Sequence, residues 1–215
     1  MSLSVLRGRR VLITSGPTRE HLDPIRFLSN ASTGAMGFAL ASAARALGAK
    51  VTVVSGPTAL AAPRGVSVVP VVTALEMRRE TLKRSRAAAL VIGAAAVSDW
   101  RFAAVSRHKI KRRAGPLRLT VVPNPAIIKE AASLRHPGQV FVGFALETRR
   151  AAAHARAKLV GKGLDLVVAN GPANLASGRA RAALVSREGV RRIPEGSKAR
   201  VARAIVAAAV KLIEL

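Results

Sequence analysis

The chain has 215 residues, half of them hydrophobic, and 36 Lys and Arg against 11 Asp and Glu, for a formal net charge of +25. That apolar content argues against disorder despite the charge, and the absence of cysteine excludes a disulfide scaffold, a Cys-based zinc site and a thiol nucleophile. No apolar run approaches the ~20 residues of a membrane span and no signal peptide is legible, so a cytoplasmic protein with an anionic partner is expected.

Arg10 to Thr14 reads as a buried strand ending at Ser15-Gly16-Pro17. Gly34 to Leu47 has helical apolar spacing and stops at Gly48. Val51 to Val54 is a second strand, ending again at Ser-Gly-Pro, and Val66 to Val72 a third. The repeated SGPT, at Ser15–Thr18 and Ser55–Thr58, reads as one turn solution used twice. Thr73 with Glu76 forms a capping box for a helix to about Ser85, and Ala88 to Gly93 is a fourth strand. Ser98 to Arg113 is polar, basic and aperiodic, which predicts a flap over about 98–115. Leu117 to Val122 alternates like a strand. Asn124-Pro125 looks like a helix start, with the helix running to about Leu134. Val140 to Ala145 is a strand, Arg149 to Gly161 a helix, and Leu164 to Ala169 a strand ending at Asn170-Gly171-Pro172. A hairpin turning at Glu188-Gly189 and a helix capped by Ser197 complete a C-terminal unit over about 180–215.

Strands separated by helices mean βαβ units, hence an α/β fold with a mainly parallel sheet in one domain over 1–215. Ligands of such sheets sit at the C-terminal edge of the strands. Four segments fall there. In TSGPTRE, Ser15, Gly16 and Thr18 could offer backbone N–H groups to an anion, or form an ordinary turn. In SNASTGAMG, Gly34 and Gly37 open a helix just after Asn30, Ser32 and Thr33. They allow a phosphate to approach the helix N-terminus, or simply allow close packing. Neither segment is a P-loop or a dinucleotide fingerprint. In GAAAVSDWRF, Asp99 could accept from a base amino group or pair with Arg101, and Lys109 to Arg113 could clamp phosphates or form a solvated face. In VGFALET, Phe144 could stack on a base or pack in the core. Lys158 and Lys162 share a helix face and repel unless an anion or solvent intervenes. The four histidines show no metal-ligand spacing.

In order, VLITSGPTRE, IRFLSNASTGAMGFALA, VTVVSGPT, AAAVSDWR, KIKR, NPAIIKE, VGFALET, ARAKLVGKGLDLVVAN and KARVARAI resemble phosphopantothenoylcysteine synthetase (phosphopantothenate–cysteine ligase) of coenzyme A biosynthesis. The resemblance runs from about Arg10 to Asn170 and resumes in the last helix. It implies a Rossmann-like three-layer α/β/α fold, usually a homodimer, using CTP with Mg²⁺. The substrates would be CTP, 4′-phosphopantothenate and cysteine, joined through an acyl-cytidylate. Because the chain starts at the first ligase strand, the fused flavin-dependent decarboxylase half and its flavin are expected to be absent. A separate phosphopantothenoylcysteine decarboxylase would then be a partner.

By position, the resemblance makes Asp99 the reader of the cytosine ring, beside the backbone of Gly93, Ala94 and Ala95. It makes Lys109 the flap lysine acting on the phosphates, and Phe144 a wall of the nucleotide pocket. Lys158 and Lys162 would hold the triphosphate. Pro125, Ala126, Ile127 and Ile128 would touch the nucleotide through backbone. Asn30 would bind the acyl-cytidylate and support its attack by cysteine. The chain departs from the family at Ala35, where Lys is usual, and at Ala126 and Gly171, where Asp is usual. These departures remove carboxylates, so the metal ligands stay unassigned beyond the nucleotide phosphates, Asp99 and water. Two alternatives compete with the ligase: a diverged Rossmann-like binder of another nucleotide, and a basic nucleic-acid-binding module. The missing glycine fingerprint counts against the first. The lack of aromatics in the basic run Lys109–Arg113 counts against the second.

Overall fold

Val11 and Ile13 of the first strand face one helical layer and Leu12 faces the other. The same alternation holds along each central strand, and both faces are apolar. That is why these strands read as continuous apolar runs rather than as two-faced patterns. The computed structural model describes residues 6–147, 149–172, 174 and 178–213. Six parallel strands form the centre of the sheet: β1 (Arg10–Ser15), β4 (Lys50–Ser55), β5 (Ser67–Pro70), β6 (Leu90–Gly93), β9 (Val140–Leu146) and β10 (Leu166–Asn170). An antiparallel hairpin, β11 (Arg179–Ser186) and β12 (Gly189–Ser197), extends the β10 edge. The order is β12-β11-β10-β9-β6-β1-β4-β5.

Helices α1 (Ala35–Ala46) and α5 (Lys198–Ile213) cover one face. Helices α2 (Ala74–Ser85), α3 (Ile127–Ser133) and α4 (Ala151–Gly161) cover the other. The result is a three-layer Rossmann-like α/β/α fold. The chain builds outward from β1 to β5, then returns to β6 on the far side of β1. This reversal opens a crevice between β1 and β6 at the C-terminal edge. No helix among the described residues is long and apolar enough to cross a membrane.

The capping box is present: Thr73 Oγ1 accepts from the Glu76 N–H at 3.2 Å, and Glu76 accepts from the Thr73 N–H at 3.3 Å. Ser197 caps α5 by accepting from the Arg200 N–H at 3.2 Å. Several local expectations need correction. A short hairpin, β2 (Arg19–His21) and β3 (Phe27–Ser29), follows the first turn and has no counterpart in the expected elements. It is held from outside: the buried Glu20 carboxylate accepts from the Ala74 N–H at the head of α2, at 3.0 Å. Within the flap, β7 (Trp100–Phe102) pairs with β8 (Val121–Pro123). The strand expected from Leu117 begins only at Val121, and the residues before it lie exposed. Helix α3 starts at Ile127, with Ala126 as its N-cap, not at Asn124. The Asn124 side chain is diverted, donating to the Ser98 carbonyl at 2.9 Å. The C-terminal hairpin turns at Arg187-Glu188, one residue early.

The two SGPT turns are not one solution repeated. Gly16 is left-handed, at φ +74°, and Gly56 is not. They lie back to back, the Gly56 N–H donating to the Ser15 carbonyl at 2.9 Å. Ser15 Oγ donates to the Gly34 carbonyl at 3.0 Å, while Ser55 Oγ donates to the adjacent Gly56 carbonyl. Thr18 Oγ1 accepts from the Ser98 N–H at 2.9 Å, whereas Thr58 Oγ1 donates to the Thr33 carbonyl at 2.7 Å.

Candidate active site

Thr14, Gly93, Phe144 and Asn170, at or near the ends of β1, β6, β9 and β10, open onto one cavity of about 630 Å³. It sits where the chain reversal predicts. Asn30, Ser32, Thr33, Gly34 and Gly37 line it from the α1 side. Gly93, Ala94, Ala95, Asp99, Pro125, Ala126, Ile127, Ile128, Phe144, Lys158 and Lys162 line it elsewhere. One cavity thus brings together residues from positions 30 to 162.

Four expected contributors do not reach the wall. Ser15, Gly16 and Thr18 are buried in the first turn and do not line the cavity. The Ser15 and Thr18 hydroxyls are taken by protein partners, so these residues brace the site from beneath. Lys109 is exposed and off the wall. The flap is tethered one residue later, where the Ile110 N–H donates to Asp23 at 3.2 Å and its carbonyl accepts from Arg26 at 2.7 Å. Asp23 is fully buried. The Arg26 guanidinium, at 3.0 Å from its carboxylate, and three backbone N–H donors hold its pKa far below the usual carboxylate range.

Each wall group has a definable capacity. The Ala94 N–H donates to the Thr14 carbonyl at 3.2 Å and the Ala95 N–H to Thr14 Oγ1 at 3.3 Å. These alanines therefore present acceptor carbonyls to a ligand. The Asn30 amide donates to the Ala96 and Val97 carbonyls at 3.2 and 3.0 Å. Two carbonyl partners dictate that its NH₂ faces them, leaving Oδ1 as a spare acceptor. At the head of α1, the Gly34 and Ala35 N–H groups are capped by Ser32 and Thr33 hydroxyls. The Met36 and Gly37 N–H groups have no protein acceptor among the described residues. Gly37 also serves packing, because a Cβ there would lie 2.2 Å from Ser15 Oγ. Phe144 is half-buried, touching the core as well as the cavity. Asp99 forms no ion pair among the described residues, and Arg101 instead donates to Pro123 and Asn124.

Lys158 donates to the Phe144 carbonyl. Desolvation, reinforced by repulsion from Lys162, lowers its pKa; Glu147 and Asp99 oppose the shift. Wall residues that escape the sequence reading include Met77, Thr81, Glu147, Asn170, Asn174 and Lys198. Thr81 Oγ1 and Asn170 Oδ1 are buried without a hydrogen-bond partner. A strand-end position at the ligand edge was the available signal for Asn170. Thr81 and Met77 give no signal, since they lie on a helix face that reads as core. No cluster of three or more His, Asp or Glu suited to a metal exists among the described residues.

The family model for the DNA/pantothenate metabolism flavoprotein C-terminal domain matches residues 6–212. The coenzyme A biosynthesis bifunctional protein CoaBC of Vibrio cholerae is 47% identical over 168 residues, covering 77% of this chain and 42% of that protein. CoaBC of Borreliella burgdorferi is 36% identical over 203 residues, 94% of this chain and 52% of that protein. The chain thus spans about half the length of these curated relatives. A crystal structure of the C-terminal domain of CoaBC superposes with a TM-score of 0.84 at 33% identity, covering 98% of both chains. A cavity at the chain reversal, lined by residues of the matched segments, and a family match over nearly the whole chain converge: this protein belongs to the family of the DNA/pantothenate metabolism flavoprotein C-terminal domain.

Proposed function

We propose that the protein joins 4′-phosphopantothenate to L-cysteine, using CTP through an acyl-cytidylate and releasing CMP and pyrophosphate. The observation that carries this reading is the full-length match to the C-terminal domain of CoaBC, with the matched motifs lining one cavity. The substrate carboxylate attacks the α-phosphorus of CTP, and the bond to pyrophosphate breaks. The cysteine amine then attacks the acyl carbon, and CMP leaves. Lys158 and Lys162 hold the phosphate chain, which relieves their mutual repulsion. Asp99 accepts from the cytosine amino group, the Ala94 and Ala95 backbone lies beside the nucleotide, and Phe144 lines the base. Asn30 Oδ1 accepts from the incoming amine.

Lys109 lies outside the cavity of its own chain, so its role requires that the flap move or that a second copy present it. Exposed Ile25, Phe27 and Leu28 on the β2–β3 hairpin and Trp100, Leu117 and Val121 near the flap support a homodimer through this face. Asp99 and Glu147 are the wall carboxylates, and Glu147 is engaged by His154 at 2.8 Å. Such a donor set suits a magnesium ion held by nucleotide oxygens and water, since Asp99 is committed to the base. The ion would neutralise phosphate charge.

Mass spectrometry of mixtures of 4′-phosphopantothenate, Mg²⁺ and either CTP or ATP, with and without cysteine, tests the proposal. Phosphopantothenoylcysteine and CMP should form with CTP only. Product with ATP alone would remove the base-reading role of Asp99. No nucleotide cleavage by the folded protein would remove the ligase.

Two further results are expected. Asp99→Ala should lose most of its preference for CTP over UTP, because an acceptor for the amino group is gone. A lost hydrogen bond of this kind is worth about tenfold in selectivity, and an unchanged kcat/KM ratio would reject the role. Second, affinity for pyrophosphate should fall as pH rises through the lowered pKa of Lys158, before ordinary lysines titrate. An anion favours charged Lys158, so binding takes up protons in that window. The linked sign for the ligand-free fold is opposite: charged Lys158 penalises it, and stability rises with pH there. Lys158→Arg, always charged, should show a shallower profile by calorimetry, the remaining slope belonging to Lys198 and to pyrophosphate itself. The same slope in that variant would assign the titration elsewhere.

A further inference from the structure

Lys198 begins α5, so it reaches the cavity from the layer opposite α4, which carries Lys158 and Lys162. It is half-buried. Among the described residues no carboxylate forms an ion pair with it. The cavity lining it shares also includes two neutral amides. Asn174 spends both ends of its side chain on the backbone of Arg181, and Asn170 has a buried Oδ1 that cannot neutralise a cation. Lys158 differs, because Glu147 and Asp99 favour its charge, whereas desolvation alone acts on Lys198. A desolvated cation without a counter-charge is costly unless an anion enters beside it.

We infer that Lys198 contacts a phosphate group of the bound substrate, from the sheet face opposite Lys158 and Lys162. The phosphate-contact role stands on the wall geometry. Which phosphate it is rests on the ligase reading, and there are two sources, the nucleotide chain and the phosphomonoester of 4′-phosphopantothenate.

Calorimetric titration of wild type, Lys198→Met and Lys198→Arg with inorganic pyrophosphate, CTP and 4′-phosphopantothenate tests this. Lys198→Met should bind at least one of them about tenfold more weakly or worse, as expected for a lost charge-assisted hydrogen bond, and Lys198→Arg should retain most of the affinity. A loss confined to CTP and pyrophosphate assigns the nucleotide chain. A loss confined to 4′-phosphopantothenate assigns the phosphomonoester. Wild-type affinities for all three in Lys198→Met overturn the inference, as does failure of the wild type to bind any of them. Should the wild type bind pyrophosphate but neither substrate, and Lys198→Met not bind it, the ligase reading falls while the phosphate contact stands. Lys198→Gln serves as the second variant, and melting curves confirm that each protein is folded.

Discussion

Asn30→Ala should still cleave CTP and form the acyl-nucleotide, but convert it with cysteine about a hundredfold more slowly. The Asn30 NH₂ is committed to the Ala96 and Val97 carbonyls at 3.2 and 3.0 Å. That pairing aims Oδ1 away from them, and no protein donor among the described residues takes it. A preset acceptor fits the amine whose N–H bonds must be oriented during attack on the acyl carbon. Losing one positioned polar group at a reacting centre costs ~3 kcal/mol of transition-state stabilisation. In the proposed reaction, activation by CTP does not use this group, so the intermediate should accumulate. Quenched mixtures examined by mass spectrometry would show it. Normal steady-state product formation by the variant would remove Asn30 from the second step. A general loss of CTP cleavage would instead mean that the loop at 94–97 had lost its shape.

The largest stability effect is expected from Gly56→Ala. A Cβ at Gly56 would lie 1.8 Å from the Pro17 carbonyl oxygen and 2.8 Å from its carbon. Both are backbone atoms, so no side chain can swing aside. Relief requires the first turn to move, and that turn braces Gly34 through Ser15 and Ser98 through Thr18. Overpacking of this kind costs ~3 kcal/mol or more, roughly 6–12 °C in Tm for a chain of this size. Gly161→Ala is the control. Its Cβ would meet nothing within 4 Å, and its φ is not positive. That exchange should stabilise by ~0.5 kcal/mol through the unfolded chain. Urea midpoints of the two variants should move in opposite directions. A wild-type midpoint for Gly56→Ala would mean that the two turns are not packed as described.

Much of the molecule was legible because its causes are local. The apolar runs at Val11–Ile13, Val51–Val54 and Leu90–Ile92 announce strands buried on both faces. Thr73 and Glu76 satisfy each other within one turn, so their capping box needs no tertiary support. Strand–helix alternation then fixes the edge where a ligand enters, and Asn30, Phe144, Lys158 and Lys162 all line the cavity there. The tertiary structure decided the rest, through contacts between residues far apart in the chain. Ser15 and Thr18 carry the same hydroxyls whether they face a ligand or a partner 19 or 80 residues away. Asn124 caps nothing because the Ser98 carbonyl takes its NH₂ and Arg101 donates to its Oδ1. The β2–β3 hairpin is too short to show a period, and the Glu20 contact to α2 holds it in place. Lys109 and Lys198 are equally basic on paper, but the fold leaves one in solvent and sets the other on the cavity wall. Periodicity is a property of neighbours along the chain and can be read from it. The direction a side chain faces at a strand end depends on which distant group meets it, and that is settled only when the sheet closes.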